Sequence, residues 1–541
     1  MARNKRTSSS ILVMLMMTSI FIALVGPASP VAASNETTSG TITGTEYWQG
    51  THELTGDVVV SSGAKLIIEP STNVVFPNGT HLDARGSICI GLSSCGASSD
   101  ASSAQRITFS WEEPENESAE GECNGISQGQ YEITITDPSC YEGLIVRDSI
   151  DLSQSGLRFL TIDGAWGIPH FVDNQNGFKY AALVLDGASP VLTEIDFQNI
   201  ASSSVLTTGL AQPQFVGGEY IVGNDEDSGV DGPAVQIYSS GTPITPLIMS
   251  SPVLIGSNNG CGNNDGGKPT VWVENAFIQI ENAQIPVGDY GISIRYSSAS
   301  VTNSDISVNC NGIDIYSLKS VGQVDYYNTI SGNEIVTEER TPISVYGGAH
   351  SFIRDNELSG ASGGSGIAVF SSFAEITDNE IGPIEGWNGL WMYGSFDVIA
   401  ENNTIFDTNR EAIIAGEYGS NAPAPSAARA FLANNTISTN PSTCSSPLHF
   451  DGEFTCPAVF AYRSGLTMYD NDIDAGDSDG IRSIGALLDI RRNTWDAAGT
   501  GAILKHYDSG YAGDQQYGTL AFFSDNVWNG VGTTYNITKS S

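Results

Sequence analysis

An asparagine recurs along the C-terminal half of this chain inside one short phrase, of which "FIRDNEL", "EITDNEI" and "VIAENNTI" are three instances. Aligned on that residue, the phrase returns at Asn333, Asn356, Asn379, Asn403, Asn435, Asn471, Asn493 and Asn526, and its first three steps are 23, 23 and 24 residues. An apolar residue stands three positions before it and another two positions after: Ile353 and Leu358, Ile376 and Ile381, Leu432 and Ile437, Met468 and Ile473, Ile490 and Trp495. Ala400 is the weak member, and Val301, Ser304 and Ile306 repeat the pattern with serine at the centre. A unit this short cannot bury its own apolar face. It must stack on its copies.

A second phrase precedes the first in each unit: "GISIRY", "NGIDIY", "PISVY", "SGIAVF", "NGLWMY", "PAVFAY", "DGIRSI". It alternates with period 2, which is a strand with one buried face. Ile313 and Ile315, Ile343 and Val345, Ile367 and Val369, and Leu390 and Met392 are then the inward residues. Gly and Asn/Asp/Ser clusters between the phrases supply turns, and helical periodicity is absent after residue 33. Two or three short strands per unit make a β-solenoid whose coils lie about 4.8 Å apart. The asparagine fits its corner. It tolerates the left-handed backbone of a sharp turn, and its stacked amide can donate to the next coil and accept from the previous one, at roughly 1 kcal/mol net per bond.

These phrases, over about residues 270–530, resemble the right-handed parallel β-helix, the architecture of pectate lyases, polygalacturonases and the periplasmic copper-site accessory proteins of the NosD type. Residues 55–90, "TGDVVVSSGAKLIIEPSTNVVFPNGTHLDARGSICI", resemble the opening coils of exported β-helix proteins. The right hand is implied by the resemblance and by the crossover preference of parallel strands. The expected class is all-β: a coil region over 49–535, divided into N-terminal coils at 49–112, irregular coils with disulfide loops at 113–269 and regular coils at 270–530. A linker at 34–48 and a tail at 531–541 flank it. Such a resemblance specifies an architecture and no activity.

Residues 1–33 read as an export signal. "MARNKR" is basic, "ILVMLMMTSIFIALVG" is apolar, and Val31 and Ala33 occupy the −3 and −1 positions of a cleavage site. The alternative is an uncleaved N-terminal anchor, the one route to a membrane, because no second long apolar run follows. The expected location is extracellular or at the cell surface. Beyond residue 33 the chain carries 19 basic against 61 acidic residues, a balance of −42. Such a surface repels nucleic acid and anionic lipid and suits a salty medium. Eight cysteines, an even number, suit disulfides in an exported chain. Three pairs are close in sequence: Cys89 with Cys95, Cys123 with Cys140, and Cys444 with Cys456. Cys261 and Cys310 are left over. Local disulfides stapling loops are the expectation. Asn35, Asn78, Asn116, Asn402, Asn434 and Asn536 begin N-x-[ST] sequons.

Two columns could carry chemistry. Asp305, Glu334, Glu357 and Glu380 follow the corner residue in successive coils, and Asp355 and Asp378 precede it. Stacked carboxylates about 5 Å apart repel by roughly 3 kcal/mol at an effective dielectric of 20. Either they splay into solvent, or Ca²⁺ binds between them, or two act as an acid pair. The acidic loops 223–232 and 472–480 are further calcium candidates. The second column is aromatic: Tyr316, Tyr346, Phe370 and Tyr393 face outward at the fourth strand position, with Trp391 beside Tyr393 and Tyr462 further on. It is either a platform for sugar rings or a self-stacked ladder, covered by a loop such as 416–430.

His52, His81, His170, His350, His449 and His506 are scattered without metal-ligand spacing and read as solvated or capping residues. The catalytic phrases of polygalacturonases and pectate lyases are missing, so no catalytic residue is carried over, and no soft-metal cluster supports a copper role. The leading expectation is an exported protein that binds or organises extracellular carbohydrate. A polysaccharide lyase or glycoside hydrolase, or a structural or adhesive surface protein, are the alternatives. An enzyme would need a base beside acids on one face, for which Arg354, Arg410 and Lys319 are the nearest candidates. N-terminal sequencing of the exported protein should begin at Ser34; a chain retaining its first residues would instead be anchored.

Overall fold

A computed structural model describes residues 38–539 apart from 97–100, 113–125, 129–132, 136–140, 149–154, 173–176, 224–231, 241–244, 262–267, 318–325, 395–396, 417–428, 440–455 and 507–518. The export segment, Lys319, His449, Asn35, Asn116, most of loop 416–430 and most of loop 223–232 lie outside the described residues. Of the expected disulfides, Cys89–Cys95 is present, and the two left-over cysteines form a second, Cys261–Cys310. The expected pair of Cys123 with Cys140 is not among the disulfides described, because Cys123 and Cys140 both lie outside the described residues. Cys456 is disulfide-bonded, while its expected partner Cys444 lies outside them too.

Each coil gives one strand to each of three parallel sheets. In one regular coil Tyr290–Arg295 enters the first sheet, Ser298–Thr302 the second and Asp305–Val308 the third. The chain then returns at Ile313–Tyr316, paired in parallel beside Tyr290–Arg295. Alternation explains which residues enter the core. In the first sheet Ile292, Ile313, Ile343, Ile367, Leu390 and Ile413 are successive register partners. The residue three before each corner lines the second sheet, from Val301 through Ile330, Ile353, Ile376, Ala400 and Leu432. The residue two after lines the third, from Ile306 through Ile335, Leu358, Ile381, Ile405 and Ile437. All of these are buried in one continuous apolar core, which removes water from aliphatic surface at roughly 25 cal/mol per Å².

Stacking begins and ends beyond the expected limits. Gly40–Ile42 and Thr45–Trp48 already pair with Val58–Val60 and Lys65–Ile68, so 34–48 is not all linker. Ile42 and Trp48 are buried there, an apolar pair that needs a coil to cover it. Thr533–Lys539 pairs with Thr500–His506, so the expected tail is also a strand. Two antiparallel strand pairs among the described residues depart from the pattern: Ile126–Gln128 with Ile133–Ile135, and Ile168–Val172 with the first half of Gly177–Asp186 on the first sheet.

The asparagines form an unbroken ladder. Asn356 Oδ1 accepts from both the backbone N and Nδ2 of Asn333, at 3.1 and 2.9 Å. The same pair of bonds links Asn356 to Asn379, Asn379 to Asn403, Asn403 to Asn435, Asn435 to Asn471, Asn471 to Asn493 and Asn493 to Asn526. Each Nδ2 also donates backward, as from Asn356 to the Ile330 carbonyl at 3.0 Å. Ser304 extends the ladder: its N donates to Asn333 Oδ1, and its Oγ accepts from Ala283 N. The left-handed residue, however, is the one before the asparagine: Asp355, Asp378, Asn402, Asn434, Asp470, Arg492 and Asp525 have φ between 54° and 58°. The expectation that the asparagine itself takes that conformation is therefore corrected. Its place is set by an amide that donates and accepts at once, which no aliphatic or carboxylate side chain does.

Glu142 is a buried carboxyl outside the ladder. It is 4% exposed, and its two carboxylate oxygens accept from Gly79 N at 2.8 Å and Trp166 N at 3.0 Å. Burial outweighs those bonds and pushes its carboxyl up to about 7.

Two outcomes follow from this packing. Asn379→Ala strands donors and acceptors on three coils and should cost about 3 kcal/mol or more in equilibrium denaturation, against about 1 kcal/mol for Asn526→Ala at the last rung; equal losses would show that the ladder is not what holds the coils. Because the native state holds the Glu142 proton more tightly than the unfolded chain, stability should fall as pH rises from about 4.5 to about 7, by on the order of 3 kcal/mol from this residue. Glu142→Gln should flatten that slope; an unchanged slope would exclude Glu142 as its source.

Candidate functional site: a cleft on the first sheet

The first sheet turns two columns outward. One runs Gln236, Trp272, Ser293, Asp314, Ser344, Ala368, Trp391 and Ile414, and the other Tyr238, Glu274, Arg295, Tyr316, Tyr346, Phe370 and Tyr393. Where the small Ser293 and Ser344 flank Asp314, the face is recessed. A cleft of about 440 Å³ opens there, lined by Trp272, Tyr290, Arg295, Asp314, Tyr316, Arg340 and Tyr346, with Asn311 and Pro269 at its edge.

A charged pair sits in this cleft among rings. Arg295 Nη2 lies 2.5 Å from Asp314 Oδ2, and its Nε donates to Ser293 Oγ at 3.0 Å. The guanidinium carbon lies 5.1 Å from the centre of the Tyr316 ring and 5.6 Å from that of Trp272, within cation–π range. Burial pushes the Asp314 carboxyl up, and the charge and hydrogen bond of Arg295 offset this only in part. Burial likewise raises the Tyr346 phenol, and the negative charge of Asp314 adds to the effect. Trp272 Nε1 donates to Glu274 Oε2 at 3.2 Å. On the far rim Arg340 donates from Nη1 to Tyr290 Oη at 3.0 Å and from Nη2 to the Cys261 carbonyl at 3.4 Å. Concave, ring-lined space with a few fixed polar groups is the general form of a small-ligand site.

The expected aromatic column is partly this site. Tyr316 and Tyr346 line the cleft, and Phe370, Trp391 and Tyr393 continue from it along the sheet. Tyr346 and Phe370 stack with centroids 4.7 Å apart and planes 3° apart, and Phe370 meets Tyr393 at 5.8 Å and the edge of Trp391 at 4.9 Å. In-register rings are spaced to cover one another, so Tyr346 and Phe370 each give one ring face to the other. Trp387, 37% exposed, stands beyond them, edge-on to Trp391 and under Arg410.

The acidic column lies on another sheet. Asp305, Glu334, Glu357 and Glu380 are register partners at the start of the third-sheet strands and are all exposed, as are Asp355 and Asp378 in their left-handed positions. Among the described residues no group of three or more His, Cys, Asp or Glu is arranged to hold a metal ion. Four histidines are packed rather than solvated as expected: His52 is buried and stacked on Trp48 at 4.2 Å, His350 stacks on Phe373 at 4.4 Å, His81 is edge-on to Tyr141, and burial pulls the pKa of both His81 and His170 down. The aromatic neighbour supplies the apolar contact that water would otherwise deny. Arg354 is exposed on the second sheet, and Arg410 lies over Trp387.

The cationic residues in the cleft with Asp314 are instead Arg295 and Arg340, neither of which was expected from the sequence. A signal for Arg295 was present: in "GISIRY" it occupies the fourth strand position, the column of Tyr316 and Tyr346. Asp314 stands at an outward position otherwise held by Ser or Ala in adjacent coils. Arg340 comes from a turn and had no such signal. A further polar cluster lies toward the N-terminal end of the same sheet, where Arg147 bridges Asp83 at 2.8 Å and Asp186 at 3.0 Å. There burial opposes ionisation of Asp83, but the bonds from Arg147 and Arg85 prevail and hold its carboxyl low.

Residues 290–423, which contain much of the cleft, match the family described as "Right handed beta helix region". The chain is a right-handed parallel β-helix. Among solved structures it is similar to the Azotobacter vinelandii mannuronan C-5 epimerase AlgE4 A-module, at 10% identity over 90% of this chain and 91% of that one, with a TM-score of 0.31. It is similar to the periplasmic alginate epimerase AlgG at 10% identity over 91% and 78%, TM-score 0.29. The catalytic domain of a GH87 α-1,3-glucanase in complex with nigerose aligns at 14% identity over 75% and 69%, TM-score 0.36. At such scores what those proteins act on does not transfer to this chain. No curated protein matches it.

Proposed function

We propose that this protein is an exported, surface-associated β-helix that binds extracellular carbohydrate in the cleft of its first sheet. The observation that carries the reading is the Arg295–Asp314 pair held between the Trp272 and Tyr316 rings in a concave outer surface. Sugars present apolar ring faces and a girdle of hydroxyls. Aromatic rings meet the first, and a fixed guanidinium, carboxylate, phenol and amide meet the second. The extended aromatic row beyond the cleft would let a polymer follow the coil axis across several coils.

A second reading, a polysaccharide lyase or glycoside hydrolase, is favoured by one feature. Asp314 is an acid whose carboxyl burial pushes up, beside the Arg295 guanidinium, in a cleft. Glycoside hydrolysis by the usual route needs two carboxyls flanking the bond, and Asp314 is the carboxyl among the described residues lining the cleft.

Binding of the mature protein to a panel of polysaccharides, by calorimetry or affinity electrophoresis, tests the first reading. Trp272→Ala and Tyr346→Ala should each weaken it about tenfold or more, roughly 1.4 kcal/mol, while Tyr393→Ala should cost less. Unchanged binding in the cleft variants would remove the reading. Release of new ends from a bound polysaccharide, abolished in Asp314→Asn, would replace it with the enzymatic one.

A further inference from the structure

Arg340 differs from most arginines of this acidic chain, and, unlike Arg354 and Arg410, which also form no ion pair among the described residues, it lines the cleft. Arg106, Arg147, Arg295, Arg429, Arg491 and Arg492 each pair with an aspartate. Arg340 lies in the cleft and, among the described residues, has no carboxylate partner, although the chain holds 61 acidic residues against 22 basic. Its two bonds go to neutral oxygens, the Tyr290 hydroxyl and the Cys261 carbonyl. A guanidinium carries five N–H donors in a planar fork, so three remain.

Its position is held from behind. Cys261 is tied to Cys310 by a disulfide. The segment leading to it is pinned on Asp289, 1% exposed, whose carboxylate accepts from Ser257 Oγ at 2.5 Å, Gly260 N at 2.7 Å and Asn309 Nδ2 at 3.3 Å. The Cys261 carbonyl that orients Arg340 is therefore part of a fixed support, and a guanidinium so held loses little freedom on binding. Within the cleft Arg295 is neutralised by Asp314, so the uncompensated charge is positive and sits on Arg340.

We infer that Arg340 is a specificity-determining residue that reads an anionic substituent of the bound sugar, a carboxylate or a sulfate ester. This deepens the carbohydrate reading of the cleft and rests on it. A planar fork matches an oxyanion by two parallel N–H···O bonds. The remainder of the cleft, the mutually neutralised Arg295 and Asp314, Tyr346, Asn311 and the rings, addresses hydroxyls and ring faces and offers no second uncompensated cation.

The test is calorimetry with one glucose oligosaccharide in three forms: neutral, oxidised at C6 to the uronate, and sulfated. The whole mature protein is used. The expected result is at least tenfold tighter binding of one anionic form than of the neutral one, a ratio that shrinks as salt is raised. Arg340→Gln should lower the ratio at least tenfold, and Arg340→Lys, which keeps the charge without the fork, should recover part of it. The form that carries the preference names the group read. A ratio near one, a ratio insensitive to salt, or a ratio unchanged in Arg340→Gln with its melting temperature intact would overturn the inference. These outcomes leave the parent reading standing, because that reading is tested separately, by whether Trp272→Ala and Tyr346→Ala bind all three forms as the unaltered protein does.

Discussion

A hydrogen bond from one corner asparagine to the next sets how each coil sits on its neighbour. Every rung joins two donors of one coil to a single acceptor of the following one, inside a corner where water does not compete. In so dry a place an unmade bond costs more than a made one gains. The ladder therefore acts against slippage as much as for cohesion. Strand registers with one buried face tolerate no shift by a single residue, since that shift would turn the aliphatic column outward. Local turn chemistry and core packing thus demand the same alignment, and consistency of that kind is what specifies one structure.

Register then converts sequence repetition into surface. Residues at equivalent positions become columns running along the coil axis, and a column is recessed where its members differ in size. Aromatics in register stack on each other, as Tyr346 and Phe370 do. The cleft arises where the pattern breaks: serines replace bulky residues on either side of Asp314, and an arginine replaces an aromatic at position 295. Charge follows the same logic. In a chain so rich in acid most arginines are consumed by neighbouring aspartates, and the surface cations left for a ligand are few.

Much of this was legible beforehand, and the limits are instructive. The inward columns, the asparagine corners and the aromatic row could all be read because each rests on periodicity, and periodicity survives in one dimension. The left-handed residue was misplaced by one position, because Asn, Asp and Gly all tolerate that conformation and the phrase contains two such residues side by side. The ends were drawn short, since the first and last coils diverge from the repeat even though their strands pair in the ordinary way. His52 and His81 were read as solvated because nothing local announces the tryptophan and tyrosine rings that cover them.

Fold class, the buried columns and the corner ladder were determined by the sequence by itself, through spacing that any stacked arrangement must obey. The cleft was decided by tertiary structure. Trp272, Arg295 and Asp314 come from three successive coils and Arg340 from the turn that closes the third, and Arg340 is held by a carbonyl 79 residues away and by a disulfide joining Cys261 to Cys310. Their meeting depends on turns of unequal length that return the chain to one sheet face. Spacing along the chain records the repeat of a strand, but it does not record where an irregular turn sets down its side chain.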